Sequence, residues 1–390
     1  MSPALRLMHL AGNSGPHAAN GVGRAVYHLA SAQRALGHEV GVISEQAGHI
    51  DEHHAQAVGL SPLLEAKVQL ARRARHVSPA LVRELLDNPP DIVHLHSIHV
   101  PENVSLSRHL RRAHVPYCVT IHGGLSRPAQ RRSRMKKRAM WWLGERQYLE
   151  NALFIHALTC EEAKDIRAYG VTAPIVVAAN GIDAQGLPRP GDRAALFARA
   201  PELVGRRVFM FMGRVAPIQK GLDLLVHGWS LANIPDCRLV FLGPDWRDGR
   251  ASLECLVTRL GLRPQVLFLD SESPQGCADL LAGADVFVHT SRWEGMSLAV
   301  LEAAVWEKPC MLTQAADPNH ALGRAGAAVI VDQTPESIAE GLRVLCGLDR
   351  AELSALGRRA HCTVVTQFTW NRAAATLIEA YRHGCGSDRR

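Results

Sequence analysis

A repeated alternation does most to limit what this chain can fold into: short, almost uninterrupted apolar runs rich in Val, Ile, Leu and Phe, each followed by a helical pattern. LRLMHL, EVGVIS, DIVHLHS, PYCVTIHG, FIHALT and PIVVAANGID are the runs of the first half, with VGRAVYHLASAQRALG and EEAKDIRAYG among the helical stretches between them. Past a stretch bearing Pro, Gly and Ala near 185–200, the alternation restarts as VFMFMGR, RLVFLGP, QVLFLD and DVFVHTS, separated by KGLDLLVHGWSLA, LECLVTRLG and CADLLAGA. A strand that is apolar throughout is buried on both faces, as in a parallel sheet covered by helices. Two such series predict two doubly wound α/β domains joined near residue 190, and 390 residues exceed what one core usually organises.

Ligands of open parallel sheets bind beyond the carboxyl ends of strands, so polar residues and glycines just after strands are the candidates. NGVGRA, residues 20–25, opens the first helix, where Gly21 and Gly23 let the backbone approach a ligand and aim amides at an anion. It is not a dinucleotide fingerprint, because Val26 holds the third glycine position. MGRVAPIQKG, 212–221, offers Arg214 as a planar fork and Lys220 as a point charge for a diphosphate, with a helix starting near Gly221. The absence of G-x-x-x-x-G-K-[ST] argues against a Walker-type hydrolase. SRWEGMSLAVLEAAVWEKP, 291–309, carries Glu294 and Glu302. On one continuous helix they would be separated by about 12 Å of rise and roughly 80° of rotation, so they cannot touch. They can hold two ends of an elongated polar ligand if Glu294 lies in the loop before the helix and Glu302 on its first turns.

His94, His96 and His99 share the spacing of metal ligands on a strand, but no acidic or cysteine partner follows at ligand spacing, so no metal is expected. Glu161 and Glu162 begin a helix and read as acids complementing its dipole. The nine cysteines form no C-x-x-C pair and fit a reduced compartment as small buried hydrophobes. With no cleavage-site pattern and no run of ~18 apolar residues, the expected location is cytoplasmic. The net charge of +7 favours polyanionic partners, and much of it is local. RRSRMKKRAMWW, 131–142, suits a membrane interface, or else is a solvated helix face whose tryptophans enter the core. No nucleic-acid-binding module accompanies the charge.

Taken in order, GVGR, HG after a strand, NGID, GR…KG and EG-x-SL-x-x-LEA resemble family 4 of the retaining glycosyltransferases, over almost the whole chain. The resemblance implies the GT-B architecture, two Rossmann-like domains facing a cleft. Residues 1–190 would form the acceptor-side domain, 191–365 the nucleotide-sugar domain, and 366–390 a helix crossing back to the first. Asn20 stands where many members have glycine and Ala179 where proline is common; neither is a residue assigned to chemistry.

By that resemblance Glu302 bonds the ribose hydroxyls of a nucleoside-diphosphate sugar and Glu294 the donor sugar. Arg214 and Lys220 neutralise the diphosphate, the backbone at Gly295, Met296, Ser297 and Leu298 helps seat it, and Gly21 and Gly23 approach from the other domain. His122 matches the active-site histidine near the reacting sugar. The diphosphate leaving group gathers negative charge that must be stabilised by a metal or by fixed cations and dipoles. No Asp-x-Asp occurs in the chain, so the expectation is metal-independent transfer without a cofactor or protein nucleophile, the leaving phosphate assisting the acceptor hydroxyl on the same face. The expected acceptor is a saccharide or lipid-linked saccharide of surface-polysaccharide or glycoconjugate synthesis, met at the cytoplasmic face of a membrane. The alternatives are a sugar-nucleotide epimerase on the same scaffold and a nucleotide-sugar-binding protein without turnover.

Overall fold

The computed structural model describes residues 3–11, 21–44, 77, 79–131, 134–270 and 272–387. It divides into two compact units, one comprising 1–181 with 368–390 and the other 182–367. The division falls eight or nine residues before the junction expected near 190, because the segment from Ile182 on packs with the second unit: Arg193 bonds Asp285, and the Trp306 indole donates to the Pro188 carbonyl.

Twelve described strands form two sheets. The first unit holds β1 (Arg6–Ala11), β2 (Glu39–Ser44), β3 (Ile92–His96), β4 (Tyr117–Thr120), β5 (Ile155–Ala157) and β6 (Ile175–Val177), in the order β2-β1-β3-β4-β5-β6. The second holds β7 (Arg207–Met212), β8 (Cys237–Leu242), β9 (Val266–Leu269), β10 (Val286–His289), β11 (Cys310–Thr313) and β12 (Ala328–Val331), in the order β12-β11-β10-β7-β8-β9. All pairings in both sheets are parallel. Strand order reverses between β1 and β3 in one sheet and between β7 and β10 in the other, and a doubly wound sheet opens its ligand crevice beside such a reversal. The alternation of apolar runs anticipated ten of these strands. The remaining two, β11 (CMLT) and β12 (AVIV), were not among the runs read from the sequence.

The helices that matter for function are α1 (Gly21–Ala35), α2 (Cys160–Ala168), α3 (Leu222–Ala232), α4 (Leu298–Val305) and α5 (Trp370–Ser387). The chain returns to the first unit through α5, and Gly181 of NGID makes room for it. A Cβ at Gly181 would lie 2.1 Å from the Trp370 amide nitrogen, so any side chain would push α5 away. Trp370 in turn stacks on His28 of α1, ring centroids 5.6 Å apart.

The two faces of the first sheet differ in kind. Met8, Leu10, Val93, Leu95, Val119 and Ile155 pack into one apolar core with Tyr117 and Tyr148. The residues between them point the other way, and in register His9 lies beside His94, His96 beside Thr120, and Thr120 beside His156. Gln33 of α1 and Tyr381 of α5, both fully buried, cover that second face. The second unit has an ordinary apolar core of Phe209, Phe211, Trp229 and Phe241 with aliphatic neighbours.

Candidate functional site

In the second unit the loops after β7 and β10 leave the sheet at the point of strand reversal. The first loop carries Arg214 and a single helical turn, Pro217–Lys220; the second carries Glu294 ahead of α4. Side chains and backbone stitch them together. The Thr290 hydroxyl sits 3.2 Å from the Lys220 carbonyl and 3.1 Å from that of Gly221. The Arg292 guanidinium grips Asp223 at the start of α3 through two bonds of 2.6 and 2.7 Å. Gly221 adopts φ 62°, and a Cβ there would lie 2.1 Å from the Thr290 carbonyl oxygen, so the position admits glycine alone.

This join brings Lys220 and Glu294 into contact. The ammonium donates to Glu294 Oε1 at 2.5 Å, the Ser291 hydroxyl donates to the same oxygen at 2.5 Å, and His289 Nε2 lies 3.3 Å from it. Burial by itself pushes the Glu294 carboxyl up, but the Lys220 charge and the His289 hydrogen bond outweigh it and hold the group well below the usual carboxylate range. His289 is itself pressed down by burial, so it sits beside the pair as a neutral imidazole at pH 7. Arg214 stacks over the Trp246 indole, 4.5 Å from Cζ to the ring centroid, and among the described residues makes no ion pair. Lys220 and Arg214 thus set two cations against the one carboxylate of Glu294 in this cluster. The N-terminus of α4 adds to it, because the Ser297 side chain does not cap the helix and reaches toward His289 instead, at 3.3 Å.

Glu294 therefore lies in the loop and Glu302 on the fifth residue of α4, the arrangement that two ends of a long ligand require. Glu302 is buried, as are Ser297 and Leu298; Gly295 and Met296 are half-buried. The sequence reading missed His289, Thr290, Ser291, Arg292 and Asp223. DVFVHTS and SRW put four of them next to Glu294, yet only the closure of the two loops gives them a purpose.

In the first unit, α1 begins at Gly21, where a Cβ would meet nothing within 4 Å among the described residues; Gly23 is buried. Asn20 lies outside the described residues. His122, two residues past β4, has φ 54°, a left-handed conformation that side chains other than glycine seldom adopt. The turn is clamped by Glu162, whose carboxylate accepts from the Gly123 amide and, at 2.6 Å, from that of Leu158. Burial pushes this carboxyl up to about 7, against the pull of both amide bonds. Glu162 is thus more than a dipole-complementing acid at a helix start, although its own amide is indeed capped by Thr159; Glu161 is exposed and pairs with Lys164. Of the three histidines with metal-like spacing, His99 turns away to Glu145, at 2.9 Å, while His94 and His96 join His9 in a group whose ring nitrogens lie within 4.8 Å of one another.

The basic segment forms the helices Arg127–Arg131 and Arg134–Met140 and a π turn, Trp141–Glu145. Trp141 packs edge-on against Tyr169, but Trp142 is 67% exposed, beside Met135 and Leu143 at 88% and 74%. Of the two readings of this segment, the one that sends both tryptophans into the core fails for Trp142.

Residues 20–181 match the family described as Glycosyl transferase 4-like domain, and 206–347 the family described as Glycosyl transferases group 1. A D-inositol 3-phosphate glycosyltransferase of Kineococcus radiotolerans is 31% identical over 264 residues, which are 62% of this chain and 59% of that protein. A protein of the same description from Mycobacterium tuberculosis is 28% identical over 51% of its length, so the chain spans little more than half of these relatives. Among solved structures, HepE of Anabaena, determined in complex with UDP and glucose, superposes with a TM-score of 0.74 at 18% identity, covering 97% of this chain and 99% of that one. Two matched domains, two doubly wound sheets and the shared architecture place this chain among the glycosyltransferases of GT-B fold.

Proposed function

We propose that the protein transfers a sugar, with retention of configuration and without a metal, from a nucleoside-diphosphate sugar to a saccharide or lipid-linked saccharide acceptor in the building of a surface polysaccharide or related glycoconjugate. The observation that carries this reading is the Lys220–Glu294 pair with Arg214 beside it at the strand reversal of the second unit. The Arg214 and Lys220 cations attract the dianionic diphosphate, and together with the α4 amides they stabilise the charge that grows on it as the anomeric bond breaks. Glu294, kept ionised by Lys220, accepts hydroxyl protons of the donor sugar, and Glu302 those of the ribose. In the first unit, the family resemblance assigns ligand contacts to His122, Gly21 and Gly23. No residue is required as a covalent nucleophile.

UDP is the first donor base to test, because HepE was solved with it. A cavity of about 590 Å³ in the first unit supports the finer reading of the acceptor. Arg127, Arg131, Arg134, Lys137 and Arg138 line it together with Trp141 and Trp142, so cations and aromatic rings suited to a phosphate-bearing amphiphile share one wall. With Trp142 exposed, this face would meet anionic lipid at the cytoplasmic side of a membrane. No described helix is long and apolar enough to cross one.

The experiment is a thermal-shift panel in EDTA with UDP, GDP, ADP, their sugar conjugates and NAD, followed by product analysis with and without saccharide acceptors. A ligand at ~100 times its Kd adds about 2.7 kcal/mol of stability. A shift with one nucleoside diphosphate and its sugars, lost in Arg214→Ala/Lys220→Ala, supports the reading; no shift with any of them overturns it. Conversion of the donor into another sugar nucleotide without acceptor would mark an epimerase, and binding without either turnover or slow hydrolysis a non-catalytic protein.

A further inference from the structure

The histidines on the second face of the first sheet form a single hydrogen-bonded file, and its direction can be worked out from one end. That end is the carbonyl oxygen of Ala178, which can only accept, so His156 Nε2, 2.7 Å away, carries a proton. A neutral imidazole protonated on Nε2 has a bare Nδ1, which takes the proton of the Thr120 hydroxyl at 2.8 Å. Thr120 has no second proton, so its oxygen accepts from His94 Nε2 at 2.6 Å. His94 Nδ1 is then bare and takes the Tyr381 phenol proton at 2.7 Å. The phenol oxygen, its proton committed, accepts from Gln33 Nε2 at 3.3 Å; the Cys118 thiol beside the same oxygen can act as a donor and leaves the direction unchanged. This sets the orientation of the Gln33 amide and turns its carbonyl toward His9 Nε2 at 2.7 Å. His9 Nδ1 accepts from His96 Nε2 at 3.0 Å, and His96 Nδ1 from His122 Nε2 at 3.1 Å.

The deduction requires that every ring be neutral, and burial ensures this. His9 and His156 are pushed down to about 4, His122 to about 3, and His94 and His96 well below the ordinary value, with mutual repulsion of the rings adding to the effect.

We propose that this one-way file, anchored at the Ala178 carbonyl, fixes His122 as the Nε2–H tautomer, so that its ring offers a ligand only the acceptor Nδ1. Such a group takes the hydroxyl proton of a sugar or other polyol and gives nothing to an anion. The first unit thereby selects hydroxyls, whereas the second, charged, selects phosphate. Thr120, Tyr381 and Gln33 are positioning residues that act on a ligand through His122. The polyol ligand rests on the function proposed above; the tautomer does not.

His9, His94 and His96 lie close enough together to suggest a transition-metal site. All six of their ring nitrogens, however, are already spent on partners within the file. A metal would have to break it.

The test is long-range 1H–15N correlation of the 15N-histidine-labelled full-length protein at pH 7, with His122 assigned by its loss in His122→Gln. The expected spectrum has one proton on Nε2 and a bare Nδ1 for His122, His96, His9, His94 and His156. Thr120→Val, nearly isosteric, cuts the file and should give His122 a mixture of tautomers, while Thr120→Ser should restore the single form. Gln33→Met makes a second cut, from α1, should Thr120→Val fail to fold. If the protein proves to be a transferase, both cuts should lower kcat roughly tenfold or more with the donor KM little changed. A proton on His122 Nδ1 in the wild type, a single tautomer surviving both cuts, or stoichiometric Zn2+ uptake abolished by His9→Ala would each overturn the proposal. Failure of every sugar nucleotide to react, with the tautomer as expected, would instead count against the proposed function alone.

Discussion

The two units bury their polar groups at equivalent places, beside a strand reversal, but with opposite chemistry. The first keeps a file of five neutral histidines; the second keeps a charged lysine and glutamate in contact. Each solves the cost of burying polar atoms, one by neutrality and complete hydrogen bonding, the other by pairing. The difference sets what each can recognise. A neutral acceptor suits hydroxyls, and a cluster that sets two cations against one carboxylate suits phosphate.

The comparison breaks most visibly in acid. A histidine whose folded pKa lies below its unfolded value contributes stability that is present above pH 6.5 and lost as pH falls toward the folded value. At pH 5 each of the five costs at most about 2 kcal/mol, and together they are comparable to the usual stability of a domain. Proton uptake by Glu162, raised to about 7, works the other way and offsets one of them. The second unit has a single buried histidine lowered in this manner, His289, and Glu294 keeps its charge far below pH 4.5. Hydrogen exchange between pH 6.5 and 5 should therefore show the first unit opening while the second stays protected. Simultaneous opening, or the second unit first, would contradict the contrast.

Next in size is Lys220→Met, which strands a buried carboxylate. The expected cost is about 3–5 kcal/mol in the second unit, read by denaturant unfolding, with nucleotide binding lost. Lys220→Met/Glu294→Met should recover much of the stability but none of the binding, which separates packing from recognition. Arg214→Ala/Lys220→Ala should lower transfer by a factor of about 100 or more, and undiminished transfer would remove the diphosphate site from the second unit.

Glu162→Ala is a smaller lesion in the first unit. Two buried amides lose their acceptor at a cost of about 1–3 kcal/mol, and the left-handed turn at His122 loses its clamp. Thermal unfolding reads the first effect and the His122 ring signals the second; an unchanged turn would mean that Glu162 serves α2 alone. The smallest effect on stability belongs to Trp142→Ala, within about 0.5 kcal/mol because the ring is exposed. Its expected signature is weaker binding to anionic vesicles at low salt, measured by co-sedimentation, and equal binding would refute a membrane role for this face.

Much of the molecule was legible in the chain. Uninterrupted apolar runs report burial on both faces, a local property of each strand, and so the doubly wound class and the places after strands could be read directly. Glycines were legible as exceptions, but their reasons were not. Gly221 and Gly181 are required by Thr290 and Trp370, residues 69 and 189 positions away. Likewise H-x-H at 94 and 96 showed two side chains on one face of a strand, with His99 as a third histidine at metal-like spacing but no metal expected. The structure replaced His99 by His9 and joined both rings to His122 and His156.

What the sequence determined alone was everything carried by periodicity and short spacing: strands, helices, the positions of Arg214 and Lys220 before a helix, and of Glu294 and Glu302 around another. What only the tertiary structure decided was which distant residues share a face or close a loop. Parallel register puts His9 beside His94 and Thr120 beside His156, α1 and α5 bring Gln33 and Tyr381 over them, and the junction of two loops presses Lys220 onto Glu294. Pairing between strands and packing of helices are set by the sum of many weak apolar contacts over the whole domain, and no single residue carries a record of them.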